Sequence, residues 1–384
     1  MSAESEGKIK EETKEFIQDI EKCLRCRYCL TVCPLYDGWL TQAASGKMQS
    51  IYYLLKWGLK PDEHFRQMLY RCSTCRKCDV ICKTQAGDVK PGEKIEKFRE
   101  VLIKKYGMLP LERQIFARDG IMKHNNPYHE PHENRFKWAA ELPKSGKYLY
   151  FVGCTAAYRI LEVARATVEI FRKLGVDFFV LNDEACCGSV LLRTGQTDDV
   201  VKLIEKNMDL FRKNEVKNIV TSCAGCYRTI KVDYPKFADS FNINVLHSSE
   251  VVKEYLPKIK SKLRKPKNQI VVTYHDPCHM GRHCDLYEAP RDVIKMLPNV
   301  KLVEMKTNRA DATCCGAGGG LKSGFPKEAL DVAKTRIKEA EETGAERLIS
   351  ACPFCQLNLV QAIKETGSKL KMQDLTEFVL EFLQ

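Results

Sequence analysis

The chain has 384 residues, 44% of them hydrophobic and 29% charged, which is enough to bury two or three globular units and excludes a disordered or low-complexity protein. Its first twelve residues mix acidic and basic side chains, and no later uncharged stretch approaches the ~20 residues that span a bilayer, so a direct membrane span is excluded and any membrane contact runs through a partner. Nineteen cysteines without a signal sequence point to metal ligation rather than disulfides; the formal charge of +12 counts them as neutral, and its Lys and Arg residues are spread without the basic clustering of a nucleic-acid binder.

In chain order, residues 8–22 alternate charged positions with Ile9, Phe16, Ile17 and Ile20 and predict an amphipathic helix. It leads into Cys23-x-x-Cys26-x-x-Cys29-x-x-x-Cys33-Pro34, and a second run follows as Cys72-x-x-Cys75-x-x-Cys78-x-x-x-Cys82. Two copies of this spacing form the bacterial ferredoxin pattern, in which three cysteines wrap one corner of a cubane [4Fe–4S] cluster and the fourth serves the other. The expected sets are Cys23, Cys26, Cys29 with Cys82, and Cys72, Cys75, Cys78 with Cys33. Lys83 stands where a proline usually follows, which removes a turn device but no ligand. Paired zinc knuckles are the competing reading, but structural zinc has no use for a third and fourth cysteine in each run. The insert at 47–70 and residues 94–105 read as helices, closing a helix-rich 2[4Fe–4S] domain over 1–106.

Residues 107–146 hold Pro110, Pro127, Pro131 and Pro143 with Asn125, Asn126 and Gly146, and read as a linker. His124, His129 and His132 within it lack a fixed ligand spacing and read as solvated surface rather than a metal site.

From Lys147 the pattern changes to short apolar runs alternating with amphipathic segments, as in α/β units. Strands are expected at 148–152, 176–181 and 218–221, with helices at 156–174 and 198–213; strands are expected again at 269–274, 300–305 and 347–350. A last amphipathic helix, 375–383, closes its own domain. Each half carries a lone cysteine, a vicinal pair before glycine and a Cys-x-x-Cys: Cys154, Cys186-Cys187-Gly188 and Cys223/Cys226, then Cys278, Cys314-Cys315-Gly316 and Cys352/Cys355. Matching cysteines are offset by 124, 128 and 129 residues, the mark of an internal duplication over 147–265 and 266–384. The fold class is α+β overall: a ferredoxin-like domain followed by a duplicated α/β cysteine-rich domain, with ligands in loops beyond the strand ends.

Five thiolates per half exceed the four of tetrahedral zinc and imply a larger metal cluster. Gly188, Gly316 and Gly318–Gly320 are expected to take φ > 0, approach bulky sulfide and donate N–H groups to sulfur. A phosphate loop is disfavoured because two cysteines occupy its front edge and no Lys-Ser/Thr follows. His275, Asp276 and His279 flank Cys278 and either pass protons to departing thiols or hydrogen-bond to cluster sulfur. Arg193 and Lys322 stand where an anionic substrate group would be met, although lone cations near a site are commonly salt-bridged surface.

Together these residues resemble the heterodisulfide reductase family. The doubled Cys, Cys-Cys-Gly, Cys-x-x-Cys pattern is similar to its cysteine-rich (CCG) domain, and the ferredoxin runs placed before it resemble the D-type subunit. Eighteen of nineteen cysteines fit, leaving Cys284 as an idle thiol. The resemblance implies two cubane [4Fe–4S] clusters and two noncubane [4Fe–4S] clusters. One noncubane cluster would be held by Cys154, Cys186, Cys187, Cys223 and Cys226, the other by Cys278, Cys314, Cys315, Cys352 and Cys355, with Gly188, Gly316, His275 and His279 beside them. It implies a disulfide reductase that cleaves a small disulfide of the CoM-S-S-CoB type to two thiols. Its expected partners are a membrane cytochrome b-type subunit or a flavoprotein, and its place is the cytoplasm or the inner face of the membrane through such a partner. The same module also occurs in non-catalytic electron-transfer subunits that link flavin dehydrogenases for glycolate, lactate or glycerol-3-phosphate, or electron-transfer flavoproteins, to quinone.

Overall fold

In the computed structural model, which describes residues 13–383, the two ferredoxin-type runs follow the same backbone path. The second and fourth residues after each leading cysteine are left-handed: Arg25 (φ 54°) and Arg27 (φ 64°) in the first run, Thr74 (φ 51°) and Arg76 (φ 60°) in the second. Non-glycine residues adopt this conformation at a cost, and here it curls each loop so that its thiols converge. A helix follows each loop, Tyr28–Thr31 and Lys77–Gln85. The expected first helix is seen at 13–21, its beginning lying outside the described residues. The insert forms two helices, Ala44–Lys56 and Glu63–Tyr70. Asp62 caps the second, accepting from Phe65 N at 2.8 Å. These helices and Pro91–Tyr106 bury Phe16, Ile51, Leu69, Phe98 and Leu102 in one core.

The chain divides into two compact units. The first joins Met1–Ile115 to Val190–Thr197 and Gly316–Val332, two short segments that follow the Cys-Cys-Gly motifs. Arg99, fully buried, fastens them inside this unit. Its Nη1 donates to the carbonyls of Arg193 and Gly319, both at 2.6 Å. Its Nη2 donates to those of Leu69, Tyr70 and Cys72 at 3.0, 3.3 and 2.9 Å. Gly319 has φ +64°, and a Cβ there would lie 2.5 Å from Ser73 C and 2.7 Å from Cys72 O. A Cβ on Gly318 would lie 3.0 Å from Ser73 O, and one on Gly320 2.7 Å from Gln114 Nε2. The glycine run therefore serves close packing on the backbone of the second cysteine run and on Gln114, where an approach to sulfide was expected.

The second unit joins Phe116–Ser189, Asp198–Cys315 and Ala333–Gln384. It contains two four-stranded parallel sheets of identical topology. Strands β1 (Tyr148–Tyr150), β2 (Phe178–Phe179), β3 (Asn218–Thr221) and β4 (Asn244–His247) are ordered β2-β1-β3-β4. Strands β5 (Ile270–His275), β6 (Val300–Leu302), β7 (Arg347–Ser350) and β8 (Lys371–Asp374) repeat this as β6-β5-β7-β8. The duplication inferred from cysteine spacing is thus a duplication of sheets, with a register such as Val220 beside Leu246 matched by Ile349 beside Gln373. The ends of β1, β3, β5 and β7 point the chain into Cys154, Cys223, Cys278 and Cys352, where open α/β sheets carry their sites. Strands β4 and β8 were not expected. Within the stretch expected as a linker, Glu112–His124 is helical. Among the described residues no helix is long and apolar enough to cross a membrane.

Candidate metal centres

The left-handed loops of the first unit gather the thiols into two groups. Cys29 lies within electrostatic reach of Cys23, Cys26 and Cys82. Cys33 reaches Cys72 and Cys75, and Cys78 reaches Cys75, Cys72 and Cys33. Burial pushes the Cys29 thiol up to about 11 and the Cys33 thiol up to about 12, with neighbouring thiols adding to the rise. A buried cation, Lys47, stands near Cys72 and Cys33; its Nζ donates to Thr41 O at 2.9 Å and Met68 O at 2.6 Å, and burial draws its pKa down to about 8. On the other side Asp79 accepts from Gly92 N at 2.5 Å and Glu93 N at 3.3 Å, anchoring the second run to a helix N-terminus. The two runs differ in exposure. Cys26 is exposed beside Leu24, which is 69% exposed, whereas Ser73, Thr74 and Cys75 are buried.

In the second unit the thiols form a continuous chain of neighbours. Cys154 meets Cys186, Cys186 meets Cys187, Cys187 meets Cys226, and Cys226 meets Cys223. In the other half Cys314 meets Cys315, Cys315 Sγ lies 3.3 Å from Cys355 Sγ, and Cys355 meets Cys352. Cys223 and Cys352 are themselves partners, so the two sets adjoin. Cys278 is grouped with His279 and His283, their donor atoms lying within 4.8 Å of one another, and His275 is grouped in the same way with Cys315 and Cys355.

The chemistry of these sets fits an iron–sulfur group. All nineteen cysteines are free thiols, and the ten of the second unit are buried. Hydrogen bonds from Cys186 and then Cys226 draw Cys187 down to about 6; Cys314 does the same for Cys315, and Cys223 for Cys352. The thiolates formed push their neighbours Cys226 and Cys355 well up. Thiols packed this closely ionise together only when a multiply charged metal core neutralises them. A second sign is the His275 ring: it is fully buried, and its Nε2 meets no hydrogen-bond partner among the described residues. A buried N–H of this kind calls for an acceptor.

Several supporting residues carried no sequence signal. Arg135, from the expected linker, is fully buried with Nη1 and Nη2 3.9 and 4.0 Å from Cys154 Sγ. It pairs with Glu184, whose carboxylate also accepts from Val152 N and Gly153 N, each at 2.9 Å. Gly153 has φ +75°, and a Cβ there would stand 2.8 Å from Cys226 Sγ; its place between a strand end and Cys154 was the available clue. Asn207 donates to Cys186 O at 3.0 Å and Asn358 to Cys315 O at 2.6 Å, one brace per vicinal pair.

Other expected residues have definite places. Gly188 takes φ +83° and donates to Cys186 Sγ at 3.4 Å, but the atom a Cβ would strike is Val200 Cγ2 at 2.6 Å. At Gly316, φ +80°, a Cβ would overlap the carbonyl oxygen of Ala329. Asp276 is held by Arg291 at 2.7 and 2.8 Å, which makes it an ion-pair residue rather than a proton carrier. Arg193 is buried against Glu96 at 2.8 Å, which removes it as an anion receptor. His129 and His132 bind the carbonyls of Phe116 and Asn182 at 2.8 and 2.9 Å. Cys284 is half-buried.

Residues 148–231 and 272–360 match the cysteine-rich domain family, and residues 19–86 match the 4Fe-4S dicluster domain. The chain is 35% identical to the D-type subunit of the dihydromethanophenazine:CoB–CoM heterodisulfide reductase of Methanosarcina mazei, over 96% of this chain and 95% of that one. The chain belongs to the D-type family of heterodisulfide reductase subunits. It is therefore an iron–sulfur oxidoreductase subunit, with a [4Fe–4S] dicluster domain ahead of two CCG repeats. This D-type relative is also 31% identical to the B component of the fumarate reductase (CoM/CoB) of Methanothermobacter marburgensis, over 99% of this chain and 76% of that one. It is 28% identical to the EtfAB:quinone oxidoreductase of Syntrophomonas wolfei, over 83% of this chain and 47% of that one. A solved structure of a hypothetical protein from Helicobacter pylori shares the fold, with a TM-score of 0.65 at 12% identity over 100% of this chain and 73% of that one.

Proposed function

We propose that this protein catalyses reduction of a small disulfide of the CoM-S-S-CoB type. Two cubane [4Fe–4S] clusters, at Cys23, Cys26, Cys29, Cys82 and at Cys72, Cys75, Cys78, Cys33, feed electrons to two noncubane [4Fe–4S] groups. The latter sit at Cys154, Cys186, Cys187, Cys223, Cys226 and at Cys278, Cys314, Cys315, Cys352, Cys355. The supporting observation is that two complete five-cysteine sets adjoin through Cys223 and Cys352. Cleaving one S–S bond releases two sulfurs, and paired sites offer one place for each.

The reaction is R–S–S–R′ + 2 e⁻ + 2 H⁺ → RSH + R′SH, and the bound groups supply its electrons one at a time. The chain's own residues hold and shield the site. Arg135 and Glu184 fix the turn carrying Gly153 and Cys154, and Asn207 and Asn358 fix the two vicinal pairs. His279 stands beside Cys278 and also faces the Cys223–Cys226 turn, where a Cβ on Gly225 would lie 3.8 Å from its Nδ1. Its ring is therefore placed to hydrogen-bond a sulfur anion near either set.

Purified protein loaded with iron and reduced by dithionite is expected to release two thiols for each mixed disulfide of coenzyme M and coenzyme B consumed. The likeness to an EtfAB:quinone oxidoreductase favours a second reading, a relay between a flavoprotein and quinone. Fully loaded protein that releases no thiol but is reduced by an electron-transfer flavoprotein and reoxidised by a quinone analogue would establish the relay and remove the catalytic role.

Electrons enter at the first cysteine run in this proposal, because Cys26 is exposed among Leu24, Arg25, Arg27 and Tyr28 while the second run is shielded. A partner with an acidic face fits there. Arg25→Glu with Arg27→Glu is expected to slow reduction by the physiological donor several-fold, more at low salt than at high, and to leave dithionite reduction unchanged. Equal rates for variant and parent at low salt would place the entry point elsewhere.

A further inference from the structure

The two cysteine-rich repeats differ at one buried position beside their sulfurs. Three residues before the lone cysteine, the first repeat has Phe151 and the second has His275, both fully buried. His275 ends β5 and pairs in register with Ser350 of β7. Its Nδ1 lies 3.1 Å from Arg336 Nε. A guanidinium N–H only donates, so Nδ1 must accept and the ring proton sits on Nε2. Arg336 is itself fully buried and held firmly. Its Nη1 donates to Thr307 O at 2.9 Å, to Thr307 Oγ1 at 3.1 Å and to Glu339 at 2.7 Å. Glu339 in turn accepts from Thr307 N and Oγ1. The ring therefore has one tautomer and one orientation. Its Nε2–H is shielded from solvent and meets no partner among the described residues, while a ring nitrogen lies within 4.8 Å of the Cys315 and Cys355 sulfurs.

We infer that His275, locked in its Nε2–H tautomer by Arg336, is a positioning residue that donates a hydrogen bond to sulfur at the Cys315/Cys355 site and raises the reduction potential of that site above what Phe151 permits at the other. This rests on the proposal that Cys315 and Cys355 hold an iron–sulfur group. A hydrogen bond to sulfur favours the reduced state, because reduction adds negative charge that the N–H dipole stabilises. The duplicated sites are thus unequal. The second is the better electron acceptor through His275, and the two halves of a substrate disulfide meet different electrostatic environments.

The test is a redox titration of the iron-loaded full chain followed by electron paramagnetic resonance, with Cys355→Ala identifying the signal of the second site. His275→Phe is expected to make reduction of that signal about tenfold less favourable, ~59 mV lower for a one-electron couple. Iron content and the other signals should stay as they were. His275→Gln, whose amide N–H reaches the same region, should recover part of the shift, and Arg336→Met should lower the midpoint by freeing the other tautomer. If Cys355→Ala removes a signal and His275→Phe leaves its midpoint in place, the donor role falls and the cluster proposal stands. If His275→Phe instead loses iron, His275 is a ligand and the donor role is wrong. If Cys355→Ala removes no signal, the cluster proposal fails and takes the donor role with it.

Discussion

Replacing Cys315 with alanine is expected to abolish disulfide cleavage and to lower the iron content from about 16 to about 12 atoms per chain, the loss of one four-iron group. Cys315 is the hub of its set, bonded to Cys314, 3.3 Å from Cys355, and drawn well down in pKa first by the Cys314 S–H. Alanine would leave Cys314 and Cys355 without the anion that organises them. The dithionite-reducible signals of the ferredoxin-type clusters should survive, because their cysteines lie in the other unit. Iron analysis, thiol release and the visible spectrum together check the result. A variant that keeps about 16 iron atoms per chain and still cleaves the disulfide would remove Cys315 from the site.

Arg135→Met is expected to destabilise the second unit by about 3–5 kcal/mol, the range for breaking one side of a buried ion pair. The cost lies mainly with the partner left behind, because Glu184 is 1% exposed and would keep a charge with no cation beside it. Glu184 also holds the Val152 and Gly153 amides, so relaxation would open the turn that carries Cys154. Adding Glu184→Gln should recover a large part of the loss, since an amide oxygen can accept from one of those N–H groups without a buried charge. Denaturant unfolding of the iron-loaded single and double variants measures the coupling. Additive losses would show that the pair is not an energetic unit.

Some of this architecture was legible in the residues and some was not, for identifiable reasons. β3 and β7 were located at their observed bounds because Asn218–Thr221 and Arg347–Ser350 are short apolar runs inside a sheet, covered on both sides. β4 and β8 were missed because each lies at a sheet edge, and Asn-Val-Leu-His and Lys-Met-Gln-Asp mix polar residues as an edge allows. The cysteine spacings exposed the duplication, since ligands recur at strand ends whatever the intervening loops do. Arg135 left no trace, because its carboxylate partner is 49 residues away and proline and asparagine around it signalled a loop. The glycine run was assigned to sulfide on the strength of its neighbouring cysteines. Its packing against Cys72 and Ser73 depends on a contact more than two hundred residues apart that no local pattern encodes. The asymmetry between Phe151 and His275 was present in the repeat alignment, but its meaning waited on Arg336, which lies 61 residues further along.

The Arg99 fastening has a consequence for biosynthesis. The first unit begins to emerge from the ribosome early, yet Arg99 Nη1 gains its last acceptor, the Gly319 carbonyl, only 220 residues later. At translation rates of about 5–20 residues per second, that interval is on the order of 10–40 s. Throughout it the Cys72–Ser73 backbone lacks its glycine cover and the second cysteine run stands open. The molecule thus leaves its inner cubane ligands accessible to iron–sulfur delivery while synthesis continues, and it closes over them when the segment at 316–332 arrives.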